Sequence, residues 1–283
     1  MISLGQHRLD LGARTFVMGI VNVTPDSFSD GGKYFDPAAA IAHGVSLVKA
    51  GADLLDVGGE STRPGAAEVP TDEELRRVVG VIAGLRRACP DTPISIDTSK
   101  ASVAHAAVEA GAGMINDVTA LRGDSRLVKV AADSGVALCL MHMLGTPRTM
   151  QHDPRYADVV DEVKAFLAAA AAEAIAAGVK KEQIVIDPGI GFGKTTDHNL
   201  TLLRRMGELR TLGYPLLVGT SRKNFLGQVT GKPAPERAVA TAATVAILAA
   251  AGTADLVRVH DVSEAKDAAA VGDAVRFGYR PRS

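Results

Sequence analysis

Asp187 ends the apolar run 184–186 and is followed by Pro188 and a glycine-rich stretch that closes at Lys194. An apolar run of this kind reads as a strand covered on both faces, and proline prevents it from continuing as a central strand. The carboxylate is thus delivered at the strand's end, either for chemistry or as a cap for the next helix. Asp97, Asn116 and Arg258 likewise follow apolar residues, and burying such groups without partners would be costly. Asp97, Asn116, Asp187 and Lys223 together supply the donors and acceptors that read the edge of a flat amino-pyrimidinone heterocycle. Arg258 is suited to stack on such a ring, and Arg63, Arg258 and His260 to neutralise phosphate oxygens. Asn22, with Asp26 nearby, offers oxygen ligands of the kind Mg²⁺ takes beside phosphate. Residues 188–195 come close to a Walker A loop, but Pro188 occupies the place of its first glycine, so a nucleoside-triphosphatase reading fails.

These residues need elements to hold them. Residues 1–14 read as a short N-terminal β-hairpin. Eight apolar runs then end near Asn22, Val57, Asp97, Asn116, Met141, Asp187, Gly219 and Arg258, with helical patterns between them. Asp36-Pro37 marks one helix start, and Thr71 with Glu74 has the spacing of a capping box at another. A long helix is expected over about 156–177, and another over about 199–212. Eight βα units within 283 residues predict one α/β domain over 1–283, a single (β/α)8 TIM barrel, with a doubly wound open sheet as the alternative. In such a barrel the C-terminal strand ends share one mouth. Asn22, the Thr62-Arg63 loop, Asp97, Asn116, His142, Asp187, residues 221–223, Arg258 and His260 are expected to converge there.

Composition narrows the classes. The chain is 47% hydrophobic and 4% aromatic with 29 glycines, which suits aliphatic helices over an aliphatic sheet. A net charge of −1 lacks the basic footprint of a nucleic-acid or membrane-surface binder. No run reaches membrane-spanning length, and residues 1–11 lack the features of a signal peptide. Cys89 and Cys139 have neither disulfide-framework nor metal-ligand spacing and read as buried or incidental thiols in a reducing cytoplasm.

The motifs resemble a known family. Residues 18–32 (MGIVNVTPDSFSDGG) and 56–65 (DVGGESTRPG) look like the two signatures of the dihydropteroate synthases. The stretches 95–98 (SIDT), 115–118 (INDV), 187–194 (DPGIGFGK), 221–223 (SRK) and 258–261 (RVHD) complete a resemblance that spans nearly the whole chain. It implies condensation of 6-hydroxymethyl-7,8-dihydropterin diphosphate with 4-aminobenzoate to 7,8-dihydropteroate and diphosphate. Asp97, Asn116, Met141, Asp187, Lys223 and Arg258 match pterin-binding positions. Asn22, Thr62, Arg258 and His260 match the diphosphate site, with Asn22 at the Mg²⁺ position. Phe28, Thr62, Arg63, Pro64, Phe192, Lys223 and Asn224 match the aminobenzoate pocket, where sulfonamides compete. Asn224 stands where the family often carries serine.

Asp187, Lys223, Arg258 and His260 are the catalytic candidates by this resemblance, and a homodimer is expected as well. The apolar helix over 238–251 is also too apolar to face solvent. Two other readings are a methyltetrahydrofolate-dependent corrinoid methyltransferase, which needs no diphosphate site, and a catalytically silent paralogue.

Overall fold

The computed structural model describes residues 1–24, 36–63 and 65–279, so Asp26, Phe28 and Pro64 lie outside the described residues. Strands β1 (Ile2–Leu4) and β2 (His7–Leu9) form the expected antiparallel hairpin. Eight parallel strands follow: β3 (Phe16–Asn22), β4 (Leu54–Gly58), β5 (Ile94–Asp97), β6 (Met114–Asp117), β7 (Ala137–Met141), β8 (Ile184–Asp187), β9 (Leu217–Val218) and β10 (Leu256–Val259). Their order is β8-β7-β6-β5-β4-β3-β10-β9. A parallel bridge from Ile186 to Leu216, with Ile186 N–H donating to Pro215 O at 2.9 Å, joins the two ends. The sheet is a nearly closed barrel rather than a doubly wound open sheet.

Outside it stand α1 (Pro37–Lys49), α2 (Thr71–Ala88), α3 (Ala101–Glu109), α4 (Leu127–Ser134), α5 (Val159–Ala176), α6 (Thr196–Arg204), α7 (Asn224–Thr230), α8 (Ala238–Ala251) and α9 (Val262–Phe277). Alternation along each strand separates two cores. Val17, Leu55, Val57, Ile94, Ile96, Ile115, Leu138, Ile184 and Ile186 face the helices. Met18, Leu54, Met114, Cys139, Val185, Leu217 and Leu256 fill the barrel, where Ile2 and Leu4 of the hairpin plug the N-terminal end.

Local signals hold at some ends and fail at others. Asp36 caps α1 by accepting the Ala38 N–H at 2.9 Å, and Pro37 is its first residue. The capping box at Thr71 does not form: Pro70 is the N-cap of α2 without a side-chain bond, and Glu74 is buried against Lys100 instead. The helix expected over 156–177 begins at Val159, because Asp158 accepts the N–H groups of Val160 (2.8 Å) and Asp161 (3.1 Å). The helix expected over 199–212 stops at Arg204 and continues as a 3-10 turn over Met206–Leu212.

Candidate active site

Two residues beyond the apolar layer, the same strand faces turn polar. Asp56 follows Leu54 on β4, Asn116 follows Met114 on β6, Asp187 follows Val185 on β8 and Arg258 follows Leu256 on β10, so period 2 aims all four into the upper barrel. Ser95 and Asp97 share the inward face of β5, as their register with Asp56, Met114, Gly58 and Asn116 requires. The sequence motif therefore places a polar layer above an apolar floor, at the end where barrel active sites are built.

One guanidinium organises this layer. Arg258 Nε donates to Asp56 Oδ2 at 2.6 Å and its Nη2 to Asp97 Oδ2 at 2.9 Å, while Asn116 Nδ2 donates to Asp56 Oδ2 at 3.1 Å. Burial works against the charge on Arg258, but the two carboxylates more than restore it and raise its pKa. Burial holds Asp97 above the usual carboxylate range; Arg258 opposes that shift while Asp56 and Glu74 add to it. Asp56 Oδ1, Asn116 Oδ1 and Ser95 Oγ are buried without hydrogen-bond partners among the described residues. Two unpaired acceptors and one hydroxyl in one polar layer form a site that a ligand's N–H groups would complete.

Asp187 lies beside this fork. Its Oδ1 accepts the Gly189 N–H at 2.7 Å, so it does cap a turn, and its other oxygen accepts no bond among the described residues. Burial pushes its carboxyl up against the pull of Lys223. Gly189 has φ +64°, and a Cβ there would sit 1.8 Å from His142 O, so only glycine lets the loop pass over β7. Lys223 donates to Ile190 O and lies 4.6 Å over the Phe192 ring. Burial lowers Lys223 to about 8, with Asp187 opposing. Its position is set by Arg222, a non-glycine residue at φ 55° whose Nε binds Asp261 at 2.9 Å and whose N–H binds Thr241 Oγ1 at 3.1 Å. Such a conformation persists only where its surroundings over-determine it.

The remaining sequence candidates divide. Asn22 ends β3 opposite Gly58, and Thr62 and Asp97 line one cleft. His260 is paired with Ser221, and Arg63 acts electrostatically on its ring. Met141 packs with Val118, Met143 and Met150, against Phe192, and Asn224 is exposed at the first turn of α7. His142 does not join the mouth as expected: its Nδ1 lies 2.8 Å from Lys194 Nζ and its ring packs edge-on against Phe166 at 4.9 Å, in the helix layer. Met141 pairs with Asp187 on the inward face, so strand alternation alone turns residue 142 outward. Burial drives His142 down to about 3, with Lys194 and Arg122 adding to the effect.

Sequence reasoning assigned no role to several residues that the geometry makes central. Asp56 is the shared acceptor of Asn116 and Arg258; its place two residues after the inward Leu54 was the available signal. Lys100 Nζ donates to Glu60 Oε2 (2.7 Å), Val69 O (2.6 Å) and Glu74 Oε2 (2.6 Å), while Glu60 Oε1 accepts the Val69 N–H at 3.0 Å. This clasp closes the neck of the loop that carries Thr62 and Arg63. Lys194 Nζ donates to Gly189 O and Phe192 O, both at 3.0 Å, which sets the curl of the glycine-rich loop.

Comparison with known proteins agrees with this geometry. Residues 18–260 match the family described as pterin binding enzyme. The dihydropteroate synthase of Synechocystis sp. is 46% identical over 274 residues, covering 97% of this chain and 94% of that protein. The crystal structure of the Yersinia pestis dihydropteroate synthase, solved as a sulfonamide drug complex, superposes with a TM-score of 0.91 at 44% identity, covering 97% of this chain and 98% of that one. The Xanthomonas albilineans enzyme in complex with 7,8-dihydropteroate gives a TM-score of 0.85 at 46% identity over 95% and 96% of the two chains. An upper-barrel polar layer, two matching signatures and end-to-end similarity agree: the chain belongs to the dihydropteroate synthases, transferases of the pterin-binding family.

Proposed function

We propose that this chain joins 6-hydroxymethyl-7,8-dihydropterin diphosphate to 4-aminobenzoate, giving 7,8-dihydropteroate and diphosphate, with the upper-barrel polar layer as the pterin site. The observation that carries the reading is the set of buried, unpaired atoms at Asp56, Ser95 and Asn116 around the Arg258 fork. Unpaired buried polar atoms cost about 1–3 kcal/mol each, a cost that a pterin's ring N–H and amino groups would remove. Asp97, Asn116, Asp187 and Lys223 read the ring edge, Met141 lines the pocket and Arg258 runs along the ring face.

The bond from the pterin methylene carbon to the diphosphate oxygen breaks, and the electron pair leaves with diphosphate. The cation left behind is delocalised over the electron-rich ring, and Asp187 stabilises that developing positive charge. Thr62, Arg258 and His260 hold the departing diphosphate. The arylamine nitrogen then attacks the methylene carbon and loses a proton, so no side-chain nucleophile is required. Arg63, Phe192, Lys223 and Asn224 form the aminobenzoate side, where sulfonamides compete; Phe28 and Pro64, assigned to the same pocket, lie outside the described residues.

Mg²⁺ fits at Asn22. Asn22, at the end of β3, offers an amide oxygen to an ion held mainly by diphosphate and water. When bound it supplies charge neutralisation for the departing anion.

The assembly is a homodimer that covers the α8–α9 face. Val239 (73% exposed), Ile247 (63%), Val271 (63%) and Val275 (73%) leave large apolar side chains on these two helices. Sedimentation at micromolar concentration should give a dimer, and a monomer alone would reject this assembly. Two free buried thiols, Cys89 and Cys139, suit a cytoplasmic site of action. Assay with both substrates and Mg²⁺ tests the reaction itself.

A further inference from the structure

Ser221 Oγ makes two contacts with one residue: it accepts the His260 backbone N–H at 3.0 Å and lies 2.9 Å from His260 Nδ1. A hydroxyl has one proton to give and two lone pairs to offer. With a lone pair committed to the backbone N–H, the hydroxyl proton completes the second contact by pointing at Nδ1. That nitrogen is then the unprotonated one. Were Nδ1 protonated instead, Ser221 Oγ would accept twice, and its own proton would have no acceptor among the described residues.

The ring itself is neutral. Burial pushes His260 down to about 4, and the Arg258 and Arg222 cations press it the same way, with Arg63 adding to them and Asp261 opposing. A neutral imidazole carries a single proton, and which nitrogen bears it is set by the bond the other makes. Nε2, at the opposite edge of the ring, bonds to no described residue. A protonated Nε2 attracts a diphosphate oxygen, whereas a lone pair at that position would repel it.

We propose that Ser221 is a positioning residue that locks His260 in its Nε2–H form, so that the ring presents a fixed donor to the diphosphate of the pterin substrate. The proposal rests on the reading that His260 meets the diphosphate, and the two parts fail separately. Nitrogen NMR on the substrate-free full chain, labelled at histidine and assigned through His260→Gln, should show an unprotonated Nδ1 and a protonated Nε2. In Ser221→Ala the two signals should move toward each other as both tautomers become populated. The KM for the pterin diphosphate should rise about two- to threefold in Ser221→Ala, as expected when only part of the rings keep the competent tautomer, with the KM for 4-aminobenzoate unchanged. Ser221→Thr, which keeps the hydroxyl, should restore both readouts, separating the lock from a general defect of folding.

A protonated Nδ1 in the unsubstituted chain overturns the lock, as does a Ser221→Ala variant with an unaltered tautomer and unaltered KM. A threonine variant that behaves like alanine also overturns it. If the NMR result holds but His260→Gln leaves the KM for the pterin diphosphate unchanged, the diphosphate contact is wrong and its consequence for substrate binding falls with it.

Discussion

Lys100 Nζ stands 2.7 Å from Glu60 Oε2 and so ties the start of α3 to the loop after β4, forty positions earlier in the chain. The same ammonium reaches Val69 O and the fully buried Glu74, so one cation holds both ends of the loop carrying Thr62 and Arg63. Lys100→Met leaves Glu74 buried without its partner, and removing one member of a buried pair costs about 3 kcal/mol. Urea unfolding should show that loss. Glu60→Gln keeps an acceptor for the Val69 N–H but drops the charge, so it should raise the KM for 4-aminobenzoate several-fold with little change in stability. An unchanged KM would mean that the clasp does not set the loop.

The pH dependence follows from Lys223. Burial lowers its pKa from 10.5 to about 8, so the ammonium is present below about 8 and lost as pH rises through that value. Because kcat/KM reports the free enzyme, it should fall above pH 8, and Lys223→Arg should move the fall to higher pH. For stability the sign is opposite. A lysine with a depressed folded pKa destabilises only while charged, so its contribution is fully present above 10.5 and is lost as pH falls through about 8. A kcat/KM that rises across the same window would point to Asp97, whose raised carboxyl gains charge there.

Much of this architecture is legible in the sequence, for physical reasons. Strands buried on both faces announce themselves as apolar runs, and a polar residue that ends such a run must have a partner. Period 2 then places Asp97, Asn116, Asp187 and Arg258 on one inward face without knowledge of the barrel's closure. What escaped notice depends on long-range pairing. Glu74 has the spacing of a helix cap from Thr71, but the ammonium of Lys100, 26 positions away, outcompetes the local backbone N–H. His142 differs for a local reason: Met141, not His142, is in register with Asp187, so the alternation that aims Asp187 inward sends the His142 ring into the helix layer. Arg205, bonded to Asp158 and Glu208 at 2.7 Å each, marks the joint that breaks the helix expected over 199–212.

Asp187 separates chemistry from stability. Burial disfavours the charged form of its carboxyl in the folded chain, and the bond from Gly189 N–H would survive in Asp187→Asn through the amide oxygen. The variant should therefore stay within about 1 kcal/mol of the parent in urea unfolding. Its kcat should drop by about 10²-fold, the scale expected when a preorganised group facing developing charge is lost. Equal losses of turnover and stability would reduce Asp187 to the cap of its turn.

Product formation tests the central claim most directly. The purified chain, supplied with 6-hydroxymethyl-7,8-dihydropterin diphosphate, 4-aminobenzoate and Mg²⁺, should release 7,8-dihydropteroate and diphosphate in equal amounts, and a sulfonamide should compete with 4-aminobenzoate. No 7,8-dihydropteroate above background at saturating substrates would contradict the account.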